Sequence, residues 1–213
     1  MLKLYTYFRS SAAYRVRIAL NLKGLDYDSA PVHLLRDGGE QRRAQYTALN
    51  PQGLVPMLQD DTLVLTQSLA IIEYLEELRP VPPLLPNTRA GRARVRAIAM
   101  LIACDIHPLN NLRVLQYLEH DLGVEESQRH RWYQHWIEDG FAALERMLPE
   151  GGGLYCHGDT PTLADCCLVP QVANALRFHV PLNHYPRLLA VYQRCQDLEA
   201  FKRAAPESQS DAV

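Results

Sequence analysis

Arg9, Ser10 and Ser11 stand between a short apolar run, Leu2 to Tyr5, and a stretch whose apolar positions Tyr14, Ile18 and Leu22 fall at near-helical spacing up to a stop at Gly24. A strand running straight into a helix through Arg-Ser-Ser aims hydroxyls, backbone N–H groups and the positive helix end at one point. That point suits an anion. The turn has no Gly-rich phosphate cradle, which disfavours phosphate. A thiolate fits better, because Ser10 or Ser11 can donate to a sulfur whose ordinary pKa of about 8.5 falls beside such donors. No Cys lies between residues 1 and 103, so the sulfur has to come from a ligand. The competing reading is that one of the two serines merely caps the helix.

Further along, Gln67-Ser68 opens a second helix, and the backbone N–H of Ser68 is another candidate anion donor, with plain capping again the alternative. Pro56 at the start of an apolar strand cannot donate in a central ladder. A cis Val55–Pro56 bond would leave the Val55 backbone open to an extended peptide ligand, and a simple edge strand is the equal alternative. His107 and Asn111 are four apart and are expected to share a helical face, as Asn110 and Arg113 do at three. Pro108 should kink that helix, making a polar-lined wall. Arg177 could serve as a fork for a carboxylate. Thr162 and Asp165 read as a capping box, which a helix start explains entirely.

These residues need elements to hold them. Leu25 to Leu34 reads as a second strand, Gln41 to Leu49 as a short polar helix, and Asn50-Pro51-Gln52-Gly53 as a turn. Leu54 to Leu58 and Leu63 to Leu65 form a hairpin. Residues 79 to 88 carry four prolines and read as an extended linker. Beyond it only helices are expected, over about 90–120, 125–148, 163–178 and 185–203. The fold class is therefore α/β followed by all-α, with a βαβαββα unit over 1–80, a Pro-rich linker over 81–89 and an all-helical domain over 90–213.

With 213 residues and 47% hydrophobic composition, the chain can bury proper cores. A net charge of -2 gives no basic field, so nucleic acid and anionic membrane are poor partners. No signal peptide or membrane span is evident, which points to the cytoplasm. Cys104, Cys156, Cys166, Cys167 and Cys195 lack zinc spacing and are expected to be reduced, with neither metal nor disulfide.

Taken together, Arg9 to Leu20, Asp37-Gly-Gly39, Ala48 to Pro51, Gln67 to Glu77, His107 to Leu112 and Gly158 to Gln171 resemble, in order and over almost the full chain, the zeta class of the cytosolic glutathione transferases. The resemblance implies a thioredoxin-like N-terminal domain, glutathione as cofactor and a two-fold homodimer. It implies that Ser10 steadies the glutathione thiolate, with Ser11 and Arg15 in the same binding loop. Gln67 and Ser68 would hold the γ-glutamyl end, Val55 the cysteinyl backbone, and Gln41 the region of the glycyl end. His107, Asn111, Leu112 and Arg113 would line the cleft, and Arg9, Arg113 and Arg177 would take the carboxylates of a small dicarboxylate substrate.

The activity implied is cis-to-trans isomerisation of maleylacetoacetate by reversible thiolate addition. Maleylpyruvate as substrate, glutathione conjugation or dehalogenation of small α-halo acids, and a non-catalytic partner-binding role are the alternatives. Two positions depart from the class pattern. Its motif cysteine is Ala12 here, and His107 stands where many relatives have Gln, which bears on pH dependence or substrate fit.

Overall fold

The structure, a computed structural model, describes residues 1–148 and 153–212. In chain order it runs β1 (Leu2–Thr6), α1 (Ser11–Lys23), β2 (Tyr27–Pro31), α2 (Ala44–Thr47), β3 (Met57–Asp60), β4 (Leu63–Thr66) and α3 (Ser68–Leu78). The helices α4 (Arg89–Met100), α5 (Leu112–His120), α6 (Glu126–Met147), α7 (Leu163–Arg177), α8 (Pro186–Gln196) and α9 (Glu199–Ala204) follow. Two compact units result, Met1–Leu84 with Gln196–Val213, and Leu85–Cys195. The segment from 196 onward thus joins the first unit, whereas the sequence places 90–213 together. No helix among the described residues is long and apolar enough to cross a membrane.

In the first unit the sheet order is β2-β1-β3-β4, with β1 parallel to β2 and antiparallel to β3. Leu4 pairs with Leu58 and Tyr5 with Met57; Leu4, Met57 and Leu58 are fully buried, as are Val16, Leu20, Ile71 and Leu75 of α1 and α3. Each such aliphatic side chain contributes about 1.5–3 kcal/mol by leaving water. β2 is shorter than the run 25–34 suggests. Pro31 has no N–H, Val32 N closes the last rung of the parallel ladder on Thr6 O at 2.7 Å, and His33 N then turns away to the Glu40 carboxylate at 2.8 Å. The expected helix 41–49 is split by extended Arg43 into a 3₁₀ turn, Glu40–Arg42, and α2.

The linker is irregular, as its prolines require. Buried Lys23 pairs with Glu76 and also donates to Pro82 O at 2.7 Å, while Glu76 accepts Leu84 N at 2.9 Å. One ion pair therefore holds α1, α3 and the linker together.

In the second unit the expected helix 90–120 does not run through. α4 passes into a π-helical turn, Leu101–Ile106, then a 3₁₀ turn, His107–Asn110, and α5 starts afresh with Asn111 as its cap. Pro108 lacks the N–H that would continue the ladder. Consequently His107 and Asn111 do not share a helical face, nor do Asn110 and Arg113. The expected helix 185–203 is likewise divided at extended Leu198, whose carbonyl accepts Phe201 N at 3.0 Å and starts α9.

Asp165 is fully buried at the head of α7, where its carboxylate accepts Thr162 N at 2.7 Å, Thr162 Oγ1 at 2.8 Å and Cys156 N at 2.8 Å. Burial raises its pKa, and the same burial lifts the Cys156, Cys166 and Cys195 thiols. These cysteines are core residues, not nucleophiles.

Candidate active site

β1 delivers the chain to the bend Tyr7–Phe8, and α1 begins at Ser11. Ser10 is the N-cap residue, with φ -72° and ψ 112°, and its Oγ accepts the Ala13 N–H at 3.2 Å. That bond uses a lone pair of the hydroxyl. Its hydrogen is donated to no other group among the described residues, so capping and donation to an incoming anion are compatible. Of the two serines, then, Ser10 is the cap. Ser11 is buried as the first helical residue, and Arg9 is exposed with its guanidinium 4.9 Å from the centre of the Phe8 ring.

Arg15 does not lie in the loop where the resemblance puts it. It sits one turn inside α1, 1% exposed, and donates from Nη1 to Ser68 Oγ at 3.2 Å. Ser68 in turn is not a cap. It is the first residue of α3, and the cap position is Gln67, held at φ 70° and ψ 116°. The Gln67 amide donates to Gln52 Oε1 at 3.0 Å, tying the start of α3 to the turn 50–53.

The Val55–Pro56 bond is cis, and Val55 packs in one apolar cluster with Tyr7, Phe8, Val32, Tyr46 and Met57. Gln41, 6% exposed, donates to Leu34 O at 3.3 Å, and its Oε1 is buried with no partner among the described residues. Gly39 has φ 104°, and a Cβ there would fall 2.5–2.6 Å from the Gln41 amide atoms and 2.8 Å from Leu34 O. The first unit thus carries Ser10 and Ser68 at helix starts, with Arg15 bonded to Ser68 and Gln67 bonded to Gln52.

The remaining candidates belong to the second unit. Asn111 caps α5 through the Arg113 N–H at 3.1 Å, Arg113 is exposed, and His107 and Leu112 are half-buried. Arg177 ends α7, with its Nη2 2.9 Å from Asn174 Oδ1 and its guanidinium 4.9 Å from the Phe178 ring centre. Buried Tyr133 is the hub that sequence reasoning missed. Its hydroxyl accepts the Asn174 amide, its carbonyl accepts Asn110 Nδ2 at 3.1 Å, and its ring stacks on Phe178 with centroids 3.8 Å apart. Burial pushes the Tyr133 phenol up to about 12, with the nearby Arg177 charge opposing. Next to it, Trp132 Nε1 bonds Leu109 O at 2.8 Å. Helix α6 therefore anchors both the 107–110 turn and Arg177. The available signal was Asn174 lying three residues before Arg177 on one helix.

Comparison with known proteins bears on these residues. Residues 9–78 match the glutathione S-transferase N-terminal domain, and residues 126–194 match the glutathione S-transferase C-terminal domain. A probable maleylacetoacetate isomerase of Vibrio cholerae is 55% identical, over 98% of this chain and 97% of that protein. A holo structure of a bacterial maleyl pyruvate isomerase, a zeta-class glutathione S-transferase, is 50% identical and superposes with a TM-score of 0.96, covering 99% of this chain and 100% of that one. A maleylacetoacetate isomerase from Anaeromyxobacter dehalogenans, solved with glutathione in its active site, is 44% identical with a TM-score of 0.89, covering 100% and 98%.

Proposed function

The chain belongs to the glutathione S-transferase family, in its zeta class, and from that membership we propose that it is a glutathione-dependent cis–trans isomerase acting on maleylacetoacetate. The observation that carries the reading is the Ser10 hydroxyl, which caps α1 through a lone pair while its hydrogen stays open beside a helix N-terminus. The first unit suits a tripeptide thiol in other ways. The orphaned Gln41 Oε1 offers an acceptor to an N–H donor, and the Ser68 backbone N–H offers a donor to a carboxylate.

Glutathione supplies a thiolate that adds reversibly to the cis double bond, and the single bond so made can rotate before the thiolate departs. Ser10 donates to that sulfur and holds it ionised near neutral pH. Ser11 and the first N–H groups of α1 add positive potential at the same point. Gln67 and Ser68 take the γ-glutamyl end, with Arg15 acting behind Ser68. Val55 pairs with the cysteinyl backbone and Gln41 lies towards the glycyl end. Arg9, Arg113 and Arg177 bind the substrate carboxylates, while His107, Asn111 and Leu112 line the substrate side. The protein acts as a homodimer in the cytoplasm, on this reading.

Maleylpyruvate is the second candidate, favoured by the 50% identity to a maleyl pyruvate isomerase. An absorbance assay of both cis substrates, each with and without glutathione, decides between them. Glutathione-dependent turnover favouring maleylacetoacetate supports the first assignment, and turnover favouring maleylpyruvate replaces it with the second. Glutathione binding without isomerisation of either would refute both and return the site to conjugation.

A further inference from the structure

Arg17 is 0% exposed, and its hydrogen bonds among the described residues converge on the bend before Ser10 and on a segment nearly two hundred residues away. Nη1 donates to Thr6 Oγ1 at 3.0 Å and to Tyr7 O at 3.4 Å, Nη2 to Phe8 O at 3.1 Å, and Nε to Ala204 O at 2.9 Å. The same bend is gripped a second time. The Phe8 N–H donates to Asp211 Oδ2 at 3.0 Å, and Ala212 packs on the cluster that contains Tyr7, Phe8 and Val55. The segment that supplies Ala204, Asp211 and Ala212 is itself fastened. Asn21 Nδ2 bonds Ala200 O at 2.9 Å, and Gln209 Nε2 bonds Ala205 O at 2.8 Å and Arg203 O at 2.9 Å.

Phe8 thus has its N–H held by Asp211 and its C=O held by Arg17, and the next peptide but one carries Ser10, whose own N–H bonds Tyr7 O at 2.9 Å. A plain helix start needs none of this, since the Ser10 cap and Gly24 already end α1 properly. A buried guanidinium is also costly to keep. Burial lowers the Arg17 pKa to about 10 against the opposing charges of Tyr27, Tyr14 and Asp211. The Tyr14 ring lies 5.3 Å beneath the guanidinium.

We propose that Arg17 and Asp211 are positioning residues for Ser10, so that the segment Glu199–Ala212 sets the direction of the thiolate-binding hydroxyl through the Tyr7–Phe8 bend. This rests on the thiolate role given to Ser10 above. Neither residue touches the sulfur. Their effect is on the angle at which the Ser10 hydroxyl and the first N–H groups of α1 meet it, and misplacement by about 1 Å can cost on the order of a hundredfold in rate.

The test uses the full chain carrying Asp211→Ala, with Asp211→Asn, which keeps an acceptor for the Phe8 N–H, and the exposed control Glu207→Gln. Two readouts are taken beside the melting temperature: amide hydrogen exchange at Phe8 and Ser10 without ligand, and the pH midpoint of thiolate absorbance for bound glutathione. In Asp211→Ala the two amides exchange about tenfold faster than the change in global stability explains, and the thiol midpoint rises by about one pH unit. Asp211→Asn restores both, and Glu207→Gln changes neither. A merely structural Asp211 would lower the melting temperature and leave the midpoint where it was. The proposal is overturned if a folded Asp211→Ala keeps wild-type exchange and midpoint, or if Asp211→Asn is no better than Asp211→Ala. A wild type that binds no glutathione refutes the proposed function alone, and the exchange data then decide the restraint by themselves.

Discussion

Replacing Ser10 by Ala, Gly and Asp separates the two tasks given to its hydroxyl. As a cap it accepts one N–H, from Ala13 at 3.2 Å. Losing that bond to Ala costs about 1 kcal/mol, to Gly a few tenths, and to Asp nothing, since Asp is itself a good cap. For a chain of this length about 1 kcal/mol lowers Tm by roughly 2–4 °C. In its proposed role as a donor to sulfur it would make a charge-assisted hydrogen bond, worth about 1.5–3 kcal/mol. At 1.36 kcal/mol per pH unit, its loss raises the pKa of bound glutathione by roughly one to two units. Asp goes further. A carboxylate about 5 Å from the thiolate at an effective dielectric constant of about 20 adds roughly 3 kcal/mol of repulsion.

The stability order is therefore Ser and Asp above Gly, with Ala lowest, while the order of thiol acidity is Ser first, Ala and Gly together, and Asp last. Melting curves and the pH dependence of bound-thiolate absorbance read the two orders independently. Thiol midpoints that track Tm across the four proteins would refute the reasoning. They would mean that Ser10 acts only by holding the helix.

Asn174→Ala removes the 2.9 Å partner of Arg177 and the donor to Tyr133. Because Arg177 is exposed, steady-state kinetics should show KM for the dicarboxylate rising only severalfold, with kcat nearly unchanged. Arg177→Ala should raise KM by about ten- to a hundredfold, as the fork itself is lost. Gly39→Ala combines φ 104° with a Cβ 2.5–2.8 Å from the Gln41 amide and Leu34 O, and should both lower Tm and raise KM for glutathione. A chromogenic disulfide reagent should titrate Cys104 quickly in the native protein. Cys156, Cys166, Cys167 and Cys195, all buried, should react only on unfolding, and any fast thiol beyond Cys104 would contradict that packing.

The sequence marked α1 and α7 by their ends, the Ser10 cap with Gly24 and the Thr162–Asp165 capping box, and α3 and α6 by apolar residues at helical spacing. The kink expected at Pro108 is there, as a full break, whereas the breaks at Pro31, Arg43 and Leu198 were harder to place. Only the prolines announce a lost donor. Arg43 and Leu198 are extended, with ψ 142° and 129°, and no proline or glycine marks either of them. Ser10, Gln67 and Ser68 were legible from their position at helix starts. Arg15 was not, because a helical wheel does not say that a guanidinium faces Ser68, fifty-three residues on. Tyr133, Asn174 and Arg17 were hidden for the same reason: each looks like an ordinary stripe or surface residue until α6, α7 and the segment after α8 are packed.

The most direct test of the account follows isomerisation of maleylacetoacetate with glutathione far below the substrate concentration and measures glutathione before and after. If the thiolate adds and leaves, the substrate is converted completely over many turnovers per glutathione, all of which is recovered as free thiol. Conversion that halts when glutathione is used up, with a stable thioether in its place, would contradict the account and make the reaction a conjugation.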